Sequence, residues 1–131
     1  MKKNYGMMRQ KNIFQKPMMI RIPFMITYNF GDVVVVDFPQ IGIRKRRPAL
    51  VILDIGDADI LLAPITTKER KGKGDYKLRD WSESGLLRES WVRIAKISCL
   101  EKSDISMRLG QLSDDDKNTV IKIWKTLYKF S

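Results

Sequence analysis

Gly31-Asp32-Val33-Val34-Val35-Val36-Asp37-Phe38-Pro39 is the most telling stretch of this 131-residue chain. Its valines and phenylalanine carry branched or aromatic side chains that suit a pleated backbone, and a Gly-Asp turn and a proline bracket them. Because the valines follow one another without polar interruption, the stretch reads as a strand buried on both faces, ended by Pro39. Gln40 to Arg47 is then expected to be a loop, carrying Arg44, Lys45, Arg46 and Arg47 in succession. Pro48 opens a second apolar run through Leu53, the turn formers Asp54 to Asp59 follow, and Ile60 to Ile65 make a third run. The last two runs predict an antiparallel hairpin.

A symmetric turn in that hairpin pairs Leu53 with Ile60, and the same register sets Arg47 opposite Thr66. Directly opposed residues lie roughly 5 Å apart at Cα. A guanidinium and a hydroxyl are thus expected side by side at the open end, with Thr67 and Lys68 adjoining. A one-residue bulge in the turn would shift the pairing and point one of the two away.

Lys68 to Arg79 is a polar loop with Gly72, Gly74, six basic residues and two acids, Glu69 and Asp75. It reads either as a solvated loop or as a lid on a polyanion, and its place beside Thr66 favours the lid. Trp81 to Leu87 is irregular. Ser90 to Leu100 is expected to be a strand in which Trp91, Arg93 and Lys96 interrupt Val92, Ile94, Ala95 and Ile97, and a short strand around Met107 to Leu112 follows. Ser113 is a good N-cap, Asp114 to Asp116 place negative charge in a first helical turn, and Lys122, Lys125 and Lys129 populate the later ones. Val120, Ile123, Trp124 and Leu127 share one face of that helix, which makes Trp124 a core residue. Trp81 and Trp91 are read either as core or as platforms for stacking bases. The fold expected is mainly β within the α+β class: a small barrel of mostly antiparallel strands with a C-terminal helix against it.

Composition limits the chemistry. The length and 44% hydrophobic content fit one domain. The single cysteine, Cys99, lies in an apolar stretch and reads as a buried structural thiol in a reducing, cytoplasmic protein. The chain has no histidine, which argues against zinc sites and Ser-His-Asp triads, so no metal and no cofactor are expected. A net charge of +10, from 25 basic and 15 acidic residues, suggests a polyanionic partner, nucleic acid or a membrane surface. Residues 1–30 hold six of the bases and no acid and lack sustained periodicity, so they are expected to be a basic leader ahead of a domain over 31–131. Met18 to Ile26 is apolar, but Arg21 and Pro23 interrupt it and no small-residue cleavage site follows, against a signal peptide or anchor. A start of translation at Met19 or Met25 would explain the leader.

Four segments together resemble a known family. Gly31 to Pro39 followed by Lys45-Arg46-Arg47-Pro48-Ala49-Leu50-Val51-Ile52 is similar to the opening of PemK/MazF toxins. Ala63-Pro64-Ile65-Thr66-Thr67 resembles their second motif, Gly85-Leu86-Leu87 with Ser90-Trp91-Val92 their mid-chain strand, and Gly110-Gln111-Leu112-Ser113 the approach to their last helix. The resemblance implies an SH3-like barrel of CcdB/PemK-like architecture, a homodimer, and an endoribonuclease acting on single-stranded RNA. It also implies a cognate antitoxin that neutralises the toxin and, with it, binds promoter DNA. By position it assigns catalysis to Arg47 and Thr66. Arg44, Lys45 and Arg46, with Thr67, Lys68, Arg70, Lys71 and Lys73, are the expected RNA contacts, and Glu69 is a candidate general base by its proximity in sequence. Some members place a histidine or an Arg-Asp pair where this chain has Ser98 and Cys99.

That chemistry is self-consistent without metal or histidine. RNA supplies its own nucleophile, the 2′-hydroxyl, so the protein need only position the strand, assist proton transfer and stabilise charge on the phosphate. Arginine, planar and always charged, suits the last task. Two other classes of function fit the same architecture: a non-catalytic toxin resembling CcdB that binds a protein such as gyrase, and an inactive, regulatory member that binds only antitoxin and DNA.

Overall fold

The valine run forms the first strand of a sheet that serves two cores, which explains its lack of alternation. A computed structural model describes residues 26–40 and 43–129. Its strands are β1 (Asp32–Gln40), β2 (Ile43–Leu53), β3 (Asp59–Thr66), β4 (Asp75–Lys77), β5 (Trp91–Arg93), β6 (Ser98–Glu101) and β7 (Ile105–Gln111), and the helix α1 spans Asp114–Leu127. The strands run in the spatial order β4-β5-β3-β2-β1-β7, with β6 also on β3, and every pair is antiparallel. β3 divides its length, pairing with β6 through Asp59 to Leu62 and with β5 through Ile65 and Thr66, so the sheet folds over on itself. This is the mainly β architecture with a C-terminal helix that the sequence predicts.

Val33 joins Leu50, Ala63, Ile65 and Val92 in a first core, onto which α1 packs Val120, Ile123, Trp124 and Leu127. Val34 and Val36 turn the other way and join Ala49, Val51, Ile60 and Leu62 in a second. The helix begins as expected, with the Asp116 amide donating to Ser113 Oγ at 3.2 Å. Asp116, fully buried, accepts from the Tyr76 hydroxyl at 2.5 Å and from the Arg79 and Asp80 amides at 3.0 and 2.9 Å. Ser113 Oγ in turn donates to Asp80 Oδ2 at 2.7 Å, so the helix start clamps the segment that leads from β4 into the turn before β5. Gly85 in that turn and Gly110 in β7 let two backbones touch, for a Cβ on either would lie within 2.6 Å of a carbonyl oxygen, Leu109 O or Ser84 O.

Several expectations require correction. Pro39 does not end its strand; β1 continues to Gln40 and pairs with β2 from Ile43 onward, so the run Arg44 to Arg47 lies in a strand and not in a loop. The reason is that β7 pairs with β1 only as far as Val36, so that among the described residues Pro39 lies on an edge, where a missing amide costs little. Leu53 pairs with Leu61 and not with Ile60, because a bulge falls between Val51 and Leu53. The segment Lys68 to Arg79 contains the short strand β4, held by β5. Ser90 to Leu100 is not one strand: a 3₁₀ turn at Ile94–Lys96 separates β5 from β6 and carries the chain from one part of the folded sheet to the other. Cys99 is exposed, since among the described residues β6 pairs only with β3 and points Leu100, not Cys99, into the second core.

The expected leader, with its alternative starts at Met19 and Met25, lies up to residue 25 outside the described residues. Ile26 to Phe30 rest on the barrel: Lys102 Nζ donates to Ile26 O at 3.0 Å, the Tyr28 amide donates to Asp54 Oδ2 at 2.8 Å, and Phe30 packs on the first core. Among the described residues no helix is long and apolar enough to cross a membrane.

Candidate active site

Strand alternation divides the basic run of β2 between two faces. Arg47 pairs with Val36 and Lys45 with Phe38, so both basic residues share the face of the second core; Arg46, paired with Asp37, points to the opposite one. There its Nε lies 3.2 Å from Asp37 Oδ1 and its NH2 donates to Ser106 Oγ at 3.0 Å. Arg46 and Thr67 also line a cleft of about 430 Å³ on that side, floored by Val35, Pro48, Leu86 and Leu109 and flanked by Arg88. Arg44 belongs to β2 and pairs with Pro39.

The predicted register between β2 and β3 holds over three pairs and stops short of Arg47 and Thr66. Ala49, Leu50 and Val51 face Pro64, Ala63 and Leu62, and the bulge comes only beyond them, toward the turn. The ladder ends at Ala49 and Pro64; by alternation Arg47 and Thr66 belong to the same face as that pair, and the same register carried two residues further would align them. At that point β3 has turned to β5, and Thr66 is directly opposed to Trp91, which is itself opposed to Lys77 of β4. Val36 with Arg47, and Thr66 with Trp91 and Lys77, are thus two runs of directly opposed residues on one face of the folded sheet. Ser98, opposite Leu62, belongs to the same face further along β3.

Arg47 and Lys45 are exposed, while Thr66 and Trp91 are part-buried. Thr66 Oγ1 accepts the Lys68 amide at 3.1 Å, which orients the hydroxyl and leaves its proton available as a donor. Lys77 Nζ sits 5.6 Å from the Trp91 ring centroid and 3.3 Å from Glu89 Oε2. In the loop after Thr66, Glu69 and Lys71 are exposed and 3.8 Å apart, and Arg70 is part-buried, its Nε without a hydrogen-bond partner among the described residues. Lys73 lies elsewhere, lining a groove against α1 with Lys122 and Ile123. Among the described residues no three of His, Cys, Asp and Glu gather where a metal ion would be held. Lys77 was invisible as a site residue in the sequence because nothing there shows that β4 exists; Trp91 offered only its side-chain type.

The sequence matches the family described as PemK-like, MazF-like toxin of type II toxin-antitoxin system over residues 29–126. No curated protein sequence matches the chain. Among solved structures, the fold is similar to an endoribonuclease from mycobacterial species, with a TM-score of 0.62, 20% identity and coverage of 79% of this chain and 92% of that one. It is similar also to an endoribonuclease in complex with its cognate antitoxin from mycobacterial species, with 0.63, 18%, 80% and 100% for the same measures. The MazE-MazF structure from Deinococcus radiodurans gives 0.65, 18%, 79% and 98%. A small, strand-dominated barrel with a basic, histidine-free face is the class that fold and site define. The chain belongs to the PemK-like, MazF-like toxins of type II toxin-antitoxin systems.

Proposed function

We propose that the chain is a metal-independent endoribonuclease that cuts single-stranded RNA, with Arg47 and Thr66 at the scissile phosphate. The reading is supported by the β2–β3 register, which ends at Ala49 and Pro64 and, carried two residues further, aligns Arg47 with Thr66 on the face that Lys45 and Lys77 share. In the reaction the 2′-hydroxyl attacks the adjacent phosphorus, the bond to the 5′-oxygen breaks, and a cyclic 2′,3′-phosphate and a 5′-hydroxyl form. Arg47, permanently charged, neutralises the oxygens of the crowded phosphorane, and Thr66 donates to one of them. Glu69 is the carboxylate nearest Thr66 in sequence and is proposed as the acceptor of the 2′-hydroxyl proton, while water supplies the proton that the departing 5′-oxygen takes up. Lys45, Lys68, Arg70 and Lys71 attract the flanking phosphates, whereas Arg46 and Thr67 on the other face and Lys73 against α1 are left out of this site.

The remaining partners follow from the family and its neighbours. A cognate antitoxin is supported by the antitoxin-bound and MazE-bound structures that the fold resembles. A homodimer, joint binding of promoter DNA with the antitoxin, and action in the cytoplasm complete the proposal. The test is induced expression of wild type and Arg47→Ala, paired with cleavage of a long single-stranded RNA in chelator by the purified proteins. Growth arrest and discrete cuts by wild type alone are expected; arrest without cleavage would replace the ribonuclease by a poison of a protein target.

A further inference from the structure

The three tryptophans are used differently. Trp81 and Trp124 pack against the first core, and among the described residues Trp91 joins neither cluster. It stands part-buried on the face of Arg47, directly opposite Thr66, with the Lys77 ammonium over its ring. A large ring that stands outside both described cores and remains partly open to water on a basic face has the chemistry of a stacking platform, since every nucleobase offers a flat π-surface.

We infer that Trp91 stacks the base of the nucleotide flanking the phosphate held at Arg47 and Thr66, with Lys77 beside it as the partner of that nucleotide's next phosphate. The inference rests on the ribonuclease reading of the same face. Adjacent strands lie about 4.8 Å apart, so the step from Thr66 to Trp91 is comparable to the reach from a phosphate to the base of the nucleotide carrying it. Lys77 has a half-exposed side chain, long enough to leave the ring when a base arrives and to stay within reach of the backbone. Such a platform is tolerant of base identity and strict about strandedness, because a paired base has no free face to offer.

The experiment uses a single-stranded RNA with every ribose 2′-O-methylated, which cannot be cut, and reads affinity by anisotropy and stacking by tryptophan emission. Trp91→Leu is expected to bind about 10-fold more weakly and to lose most of the emission quench, while Trp91→Phe stays within about 3-fold of wild type. A set of oligonucleotides with one base removed at each position is expected to contain one whose loss weakens wild type but not Trp91→Leu, a coupling that a merely structural role for Trp91 would not produce. Equal affinity and quench in wild type and Trp91→Leu, or equal sensitivity of both to every missing base, would overturn the stacking site and leave the ribonuclease reading standing. Failure of wild type to bind any single-stranded RNA would remove both. Lys77→Glu, on the exposed end of the run, guards against a folding defect in Trp91→Leu: it is expected to weaken the same RNA several-fold with an unchanged melting temperature, and unchanged affinity counts against the site.

Discussion

Lys102 Nζ and Asp54 Oδ1 are 2.8 Å apart, and both side chains are wholly buried. Around this pair the chain is gathered at three points, for Lys102 also donates to Ile26 O, and Asp54 accepts the amides of Tyr28 and Gly56. Removing one partner leaves a buried charge without its counterion. Lys102→Met is therefore expected to destabilise the fold by about 3–5 kcal/mol in urea unfolding, and adding Asp54→Leu to cost less than the two single changes together. Strict additivity would show that the two charges do not support one another.

The same site makes an acid-sensitive contribution to stability. Burial alone would raise the Asp54 carboxyl, but the hydrogen bond from Lys102, those from the Tyr28 and Gly56 amides and the Lys102 charge outweigh it and hold the group below its ordinary 3.8. With the folded value lower than the unfolded one, the unfolded chain binds more protons in between. The contribution is complete above about pH 4 and is lost as the pH falls through the folded value. The stability gap between wild type and Asp54→Asn should thus narrow below about pH 4; a gap that does not change with pH would refute the assignment.

At the other end of the pH scale the group to watch is Tyr76. Burial, the hydrogen bond to Asp116 and the Asp116 charge push its hydroxyl from 10.0 up to about 12. The unfolded chain then loses the proton first, so stability falls as the pH rises from about 10 to about 12, and the wild type should lose its advantage over Tyr76→Phe in that window. At neutral pH Tyr76→Phe is expected to cost about 1.5–3 kcal/mol, because the acceptor is charged. Parallel stability curves for the two proteins up to pH 12 would count against it.

Arg47→Ala should lower the cleavage rate constant by on the order of 10²–10³, the usual effect of removing a group that stabilises transition-state charge. The side chain is exposed, so unfolding should move by less than about 0.5 kcal/mol. Arg47→Lys is expected to recover only part of the rate, since a point charge does not reproduce the planar fork. Full activity in Arg47→Lys would mean that charge alone suffices.

Glycines separate backbone strain from crowding. Gly85 and Gly56 have nearly the same φ, +90° and +94°, but a Cβ on Gly85 meets Leu109 O at 2.5 Å whereas one on Gly56 meets nothing within 4 Å. Gly56→Ala should cost about 1–2 kcal/mol from backbone strain alone, and Gly85→Ala distinctly more. Equal melting temperatures for the two variants would show that the turn before β5 gives way without cost.

The elements legible in the sequence were those specified by neighbouring residues. Ser113 caps the helix it was expected to cap, and Val120, Ile123, Trp124 and Leu127 form its core face. The pairing of Ala49, Leu50 and Val51 with Pro64, Ala63 and Leu62 was reachable because a hairpin register propagates along two strands, and it holds because the unforeseen bulge lies on the turn side of these pairs. What misled was context. Pro39 reads as a terminator until one knows that β1 goes on pairing with β2 past it, and Cys99 reads as buried until β6 is seen to turn Leu100 to the second core in its place.

Local order, binary pattern and turn chemistry are short-range properties, and the sequence by itself determined them: strands from the valine run to Thr66, a capped terminal helix, a basic chain without histidine. Only the tertiary structure decided which strand lies beside which. The turning of β3 from β2 to β5 sets Trp91 and Lys77 in line with Thr66, and the buried Lys102 finds Asp54 across 48 residues of sequence. Those pairings depend on long-range closure of the sheet, whose cost is met by the two cores together and by no segment alone.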